Sequence, residues 1–300
     1  MKVLLNLVKR HTKLFFKDRA MFLSSLITPI ILILLFVTFL GNVYRDSFNA
    51  AIPEGLEVPK SIIEGFVGGW AFSSLLSTSC VTIAFCSNLL MIQDKADQIL
   101  PDITIAPVKK STLSISYFIS SALVTLIICY VAVGVGFIYL ANVGWYLSFV
   151  DVLLILFDVL LLVLFGTALS SIVNYFLTTQ GQMSVVGTLV STGYGFICGA
   201  YMPMSQFGNV LRKALMFSPG SYGTSLIHSH YMNGVLKELE TNYFPSEVVD
   251  GIYSSFDIKL DFFGTTVQNY ASYLVLGCTI ALLIGVYVLM NVLSKRKVRG

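Results

Sequence analysis

Six stretches of this chain are apolar over enough residues to cross the roughly 30 Å of hydrocarbon in a bilayer, and that limits the fold before any motif does. They fall at about 21–41, 63–91, 114–140, 147–173, 183–202 and 266–291. Lipid offers no partner for a backbone N–H or C=O, so each stretch is expected to be an α-helix that satisfies its own backbone. Composition agrees. Of 300 residues, 56% are hydrophobic and 12% charged, about half the charge of an ordinary soluble domain. The sequence therefore predicts an all-α integral membrane protein with six transmembrane helices.

The segments around the spans have their own signals. In residues 2–19, Leu4, Leu7, Val8, His11 and Phe15 share one helical face and Lys9, Lys13 and Lys17 another. This pattern suits a helix lying in the interface, apolar face toward lipid and lysines toward anionic headgroups. A plain positively charged anchor is the alternative. No small-residue cleavage site follows the first apolar run, so that run is expected to stay in the membrane. Pro29 is expected to kink it or to end a short first helix. The second run carries GGWAFSSLLSTSC, and the fifth carries GFICG at 195–199; small residues of this kind allow close helix packing. Residues 203–232 are half apolar and broken at Pro219 and Gly220, which predicts two short helices dipping into the outer interface. Residues 233–265 read as polar, acidic and exposed.

Orientation follows from the basic residues. With the N-terminus inside, 13 of the 19 Lys and Arg fall in the cytoplasmic parts 1–20, 92–113 and 292–300, and 6 fall in the outer parts 42–62 and 203–265. Positive-inside bias then predicts cytoplasmic N- and C-termini in a cell membrane, with lipid as an obligatory neighbour.

Asp158 stands mid-span in DVLLILFDVLLLVLFG. A carboxylate at that depth costs several kcal/mol unless neutral, paired or facing a polar cavity. Three readings are open: a hydrogen bond to a neighbouring helix, a wall of a translocation path, or a proton- or cation-coupling group. Asp151, nearer the span's edge, reads as a solvated helix-start residue. Asn88 and Asn174 read as caps or interhelical bonds. Cys80, Cys86, Cys129, Cys198 and Cys278 all lie in apolar runs and read as small buried residues rather than a disulfide framework. His228 and His230, two apart, are a weak candidate for a metal pair.

No GxxxxGK[ST] phosphate loop occurs, so the chain carries no sequence argument for hydrolysing ATP. HExxH, GxSxG and a potassium-filter pattern are also missing from the sequence, and no clear inverted repeat is visible.

The ordered layout resembles the membrane subunit of type-2 ABC exporters, the permeases of drug, polysaccharide and teichoic-acid export. The opening KRHTKLFFKDRAMFLSSLITPIILILLFVTFLG resembles that family's interfacial connecting helix and first span, with Ser25 and Pro29 in its S-x-x-x-P-like run. The stretch DKADQILPDITIAPVKKSTLSISYF resembles its first cytoplasmic loop, with Ala106, Pro107, Val108, Lys109 and Lys110 at the turn. It departs from the family upstream, where Asp94, Lys95, Asp97 and Gln98 replace a more usual Glu/Arg and Gly-Thr-Leu-Glu pattern. Pro203, Pro219 and Tyr222 match the proline-containing outer segment after the fifth span. The resemblance covers essentially the whole chain.

It implies a single transmembrane domain over 1–300, comprising a connecting helix at 1–20, a coupling loop at 92–113, and outer re-entrant helices with a loop at 203–265 before the last span. It also implies a non-enzymatic permease, working as a homodimer or with a similar permease on two cytoplasmic ATP-binding subunits. ATP and magnesium would be bound by those subunits and no cofactor by this chain; nucleic acid is not an expected partner. Coupling would fall on a short helix over 97–103, naming Asp97, Gln98, Ile99, Leu100, Pro101, Asp102 and Pro107. The cargo would be amphipathic: a drug, an antimicrobial peptide or a lipid-like compound leaving a cell, most simply a bacterium. Two other classes stay open, an ion-coupled secondary transporter using Asp158 and a non-transporting membrane scaffold or immunity protein.

Overall fold

Helices form where the apolar runs lie, and most extend past them. The computed structural model describes residues 2–52, 58–99, 103, 108–263 and 265–293. In chain order the helices are α1 (Lys2–Lys17), α2 (Arg19–Leu35), α3 (Gly41–Ala51), α4 (Lys60–Asn88), α5 (Leu90–Ala96), α6 (Lys110–Val143), α7 (Phe149–Tyr175), α8 (Gln180–Ile197), α9 (Asn209–Leu215), α10 (Pro219–Asn242), α11 (Ser246–Ser255) and α12 (Asn269–Leu293). A π-helical turn, Phe36–Leu40, joins α2 to α3. A two-stranded ribbon pairs β1 (Asp261–Phe262) with β2 (Thr265–Thr266), a small departure from an all-α chain.

Among the described residues, five helical segments are long and apolar enough to cross a membrane: Arg19–Ala50, Lys60–Ala96, Ser111–Val143, Phe149–Tyr175 and Asn269–Asn291. The fifth expected span is α8. Its 18 residues, QGQMSVVGTLVSTGYGFI, dilute the apolar positions with Gly, Ser and Thr, and it is not among the five. The first span runs through Pro29, which does not end it.

The bundle is built around α4, which is buried along nearly its whole apolar length and packs against α2, α6, α7, α8 and α10. Its serines, threonines and glycines make this possible, because small side chains let neighbouring backbones approach. At Gly166 of α7 an added Cβ would lie 2.9 Å from the Val81 Cα of α4. The GFICG motif works differently. Its Gly195 makes room for Tyr201 of its own chain, whose ring an added Cβ would meet at 2.3 Å, and Tyr201 Oη donates to the Ser191 carbonyl at 3.2 Å.

The 203–265 region differs from expectation. Pro219 occupies the first turn of α10 and starts that helix, where its missing N–H costs nothing. Residues Gly220–Met232 are buried without a break, against α4, α7 and α12. The helix continues through Val235, Leu236 and Leu239, which join Phe48, Phe66, Val249 and Ile252 in a second apolar core. The stretch expected to be exposed thus contributes much of that core. Ser205 N–H donates to Asp257 Oδ2 at 2.5 Å, and Arg212 pairs with Asp261 at 3.2 Å, which ties the segment to the ribbon.

Candidate functional site

Two polar constellations sit in this framework. The first lies where α1 meets the end of α4–α5. Val8, His11 and Phe15 of α1 are buried while Lys9, Lys13 and Lys17 are exposed, so the amphipathic reading of the sequence gives the correct faces. The apolar face, however, packs on α6 rather than facing lipid. His11 stacks on Tyr117 of α6 with centroids 4.0 Å apart and planes 7° from parallel. Thr12 and Ser120 hydroxyls lie 3.1 Å apart. Arg10 Nη1 reaches Asp94 Oδ2 at 3.1 Å, and the Tyr117 hydroxyl donates to the same oxygen. Asp94 is nearly buried, so two charge-assisted hydrogen bonds fix it between α1 and α6. Next to it, Lys95 Nζ donates to the carbonyls of Tyr175 at 3.2 Å and Leu177 at 3.5 Å. That places a cation on the C-terminal end of α7, where the helix dipole favours it. One pair of adjacent residues thus links α5 to α1, α6 and α7. Burial pulls His11 down to about 4, with Arg10 adding to the effect.

The loop that follows is only partly described. Asp97 and Gln98 form the turn that ends α5, with Gln98 at φ 57. Ile99 is half-buried, and Ile103 packs against the main core. Leu100, Pro101, Asp102 and Pro107 lie outside the described residues.

The second constellation surrounds Asp158. His230 Nδ1 of α10 lies 2.5 Å from its Oδ2, and Tyr273 of α12 donates its hydroxyl to Oδ1 at 2.6 Å. Both carboxylate oxygens are engaged, and three helices meet at one side chain. Among the three readings of Asp158, this geometry supplies the interhelical hydrogen bonds. Asp151 is at a helix start as expected, in a capping box with Ser148, but it is buried rather than solvated and accepts from Asn233 at 2.7 Å. Asn88 does bond another helix, donating to Ser170 at 3.0 Å and Ser171 at 2.8 Å. Asn174 is buried with neither amide atom bonded among the described residues.

The histidine pair does not converge. Residues two apart on an α-helix point to opposite sides, and His228 Nδ1 faces Ser73 at 3.4 Å while His230 faces Asp158. No metal-ligating cluster occurs among the described residues. Cys80, Cys86, Cys129 and Cys198 are buried free thiols, whereas Cys278 is exposed on α12. Pro203 is buried and precedes a 3₁₀ turn, and Tyr222 joins Met204 and Leu260 in a small cluster beside it. The structure thus gathers the predicted outer residues Pro203 and Tyr222 around one joint, with Pro219 one turn before Tyr222.

The same chain of residues, a basic amphipathic helix docked on a bundle centred on its second long helix, matches the family described as the ABC-2 type transporter over residues 2–231. The chain belongs to that family. No curated protein matches it. As an ABC-2 type protein it is a non-catalytic, multi-pass membrane permease component of an ABC transport system, and the matched span runs from α1 into α10.

Proposed function

We propose that this permease is the membrane half of an ATP-driven exporter for an amphipathic compound, working as two copies on two cytoplasmic ATP-binding subunits. Those partners bind ATP and magnesium. Both termini lie in the cytoplasm, α8 crosses as the fifth of six spans, and α9–α10 re-enter from the outer side. The observation that carries the reading is the knot of Arg10, Asp94 and Tyr117. It joins the entry of the 92–113 loop to the connecting helix and to a span, so a push on that loop moves several helices together. The exposed length of α8, where a Cβ added at Gly181, Gly187 or Gly193 would meet nothing, supports a second copy packed there.

The test is a mild-detergent isolation of the tagged chain from native membranes, with subunit masses. Two copies with two ATP-binding subunits are expected; a chain recovered alone across several detergents would end the proposal. A second arm addresses coupling. Ile99→Asp puts a charge on the surface expected to dock, and at least a tenfold loss of transport with normal membrane insertion is expected. Unchanged transport in the reconstituted complex would remove the 97–103 segment from the coupling role.

A further inference from the structure

A groove of about 290 Å³ opens sideways between the first span, α4 and α6. It lies toward the end of the bundle away from α1. Its floor is Ala71, Phe72 and Leu75 of α4, and Ile33 and Val37 form an exposed lip. The lining is apolar along most of its length and polar at one end, where Asn42, Arg45 and Tyr139 meet. The π-helical turn shapes it. Gly41 donates its N–H to the Phe36 carbonyl, and an added Cβ there would lie 2.8 Å from that oxygen. Only glycine fits this widened turn without displacement, and π-turns inside α-helices are often found at functional positions.

Arg45 gives the polar end its chemistry. Its Nε and Nη2 bind the two oxygens of Glu64, each at 2.8 Å, and Nη1 donates to Asn42 at 2.8 Å. A guanidinium has five N–H donors in a planar fork, so two remain beyond these three. The side chain is about one-third exposed. A cation with spare donors at the end of an apolar, lipid-facing groove matches a phosphate joined to a hydrocarbon chain, since Arg recognises phosphate through such a fork.

We propose that this groove is a binding site for one glycerophospholipid of the surrounding membrane, one acyl chain along Leu75, Ala71 and Val37 and the phosphate at Arg45. The site belongs to the single chain and does not depend on any ATP-binding partner. The lipid packs into the gap left by the π-turn and holds the first span against α4.

The experiment uses the full chain in dodecyl maltoside, a detergent without phosphate. The probe is phosphatidylglycerol carrying a photoreactive diazirine in one acyl chain, with labelled peptides mapped by mass spectrometry. Labelling is expected to concentrate in 32–45 and 71–75, and unlabelled phosphatidylglycerol is expected to erase it. Diacylglycerol with the same chains is expected to compete at least tenfold less well. Ala71→Phe fills the groove and is expected to cut that labelling at least fivefold, leaving labelling of α12 unchanged. The double variant Arg45→Gln with Glu64→Gln, which keeps a hydrogen-bonded pair without charge, is expected to weaken competition by phosphatidylglycerol about tenfold. Labelling spread over all exposed spans and indifferent to Ala71→Phe would overturn the site. Equal competition by diacylglycerol would overturn the phosphate assignment.

Discussion

Asp158 illustrates how a single residue can be read from its partners. Its two oxygens hold His230 and Tyr273 on two other helices, so its removal strands a buried imidazole and a half-buried hydroxyl. Asp158→Asn retains one oxygen to accept from Tyr273 and gains an N–H to donate to an unprotonated His230 Nδ1. That variant is expected to assemble and to unfold within a degree or two of the parent in detergent. Asp158→Leu leaves both partners unbonded, at about 1–3 kcal/mol for the buried His230 and less for the half-buried Tyr273, and is expected to unfold several degrees earlier. Thermal unfolding of the two purified variants checks the pair. Loss of transport in a normally assembled Asp158→Asn protein would instead place the residue on the path. The depth and isolation of Asp158 were legible in the sequence, because a carboxylate among leucines needs a reason. Its partners were not, since His230 and Tyr273 follow it by 72 and 115 positions and nothing local marks the match.

At the scale of elements, α1 and α10 show where periodicity succeeds and where it fails. The faces of α1 follow directly from its spacing. Lys9, Lys13 and Lys17 recur every four residues, while Leu4, Leu7, Val8, His11 and Phe15 recur at three- and four-residue intervals on another face, which leaves one helical orientation. Its partner does not follow, since lipid and the side of α6 favour the same apolar face. The burial of α10 was hidden by its composition. Gly220–Met232 mixes Ser, Gly, His and Tyr with few aliphatic residues, so it reads as half of a broken, half-apolar segment at the outer interface, yet a helix enclosed by protein can carry polar groups that are bonded. Ser225 donates to the Ile258 carbonyl at 3.1 Å, and Asn269 donates to Ser229 at 3.1 Å. The docking of α1 carries a pH dependence. His11 in place has a pKa near 4 against an ordinary 6.5, so the docked state binds fewer protons than the released state between those values. Docking is therefore fully present above about pH 6.5 and weakens as pH falls toward 4, by roughly 2 kcal/mol at pH 5. A Thr12→Cys, Ser120→Cys pair, built where the hydroxyls lie 3.1 Å apart, reports docking through its rate of disulfide formation at fixed thiolate reactivity. Hydrogen exchange along α1 gives a second reading. Both are expected to show release on acidification, and His11→Phe, which keeps the stack on Tyr117, is expected to flatten the response between pH 6.5 and 5. An unchanged slope in that variant would assign the effect to another group.

For the whole molecule, the arrangement of buried and open surface decides what the bundle can do. The centre is closed: α4 is enclosed, and Gly166 already brings α7 into backbone contact with it. Sliding between these two helices would need their packed side chains to separate, so motion is expected to pass through them as one body. The perimeter is open in a different way. Lipid-facing helices such as α12 show large apolar residues, Leu274, Leu282 and Leu289, whereas α8 shows Gly, Ser and Thr among its valines. In lipid, small residues on an exposed helix favour close approach of another helix, because backbones can then reach van der Waals contact. Gly187 tests this. An added Cβ meets nothing within 4 Å in its own protomer, so a side chain can leave the helix outward there, and Gly187→Trp is expected to leave the unfolding temperature of the isolated chain unchanged or slightly raised, tryptophan being the better helix former. If the second copy packs on α8, the same substitution wedges the pair apart. Native mass measurement is then expected to shift from two permease copies to one, with a parallel loss of transport. A pair that survives Gly187→Trp would put α8 against lipid and move the contact between copies to another face of the bundle.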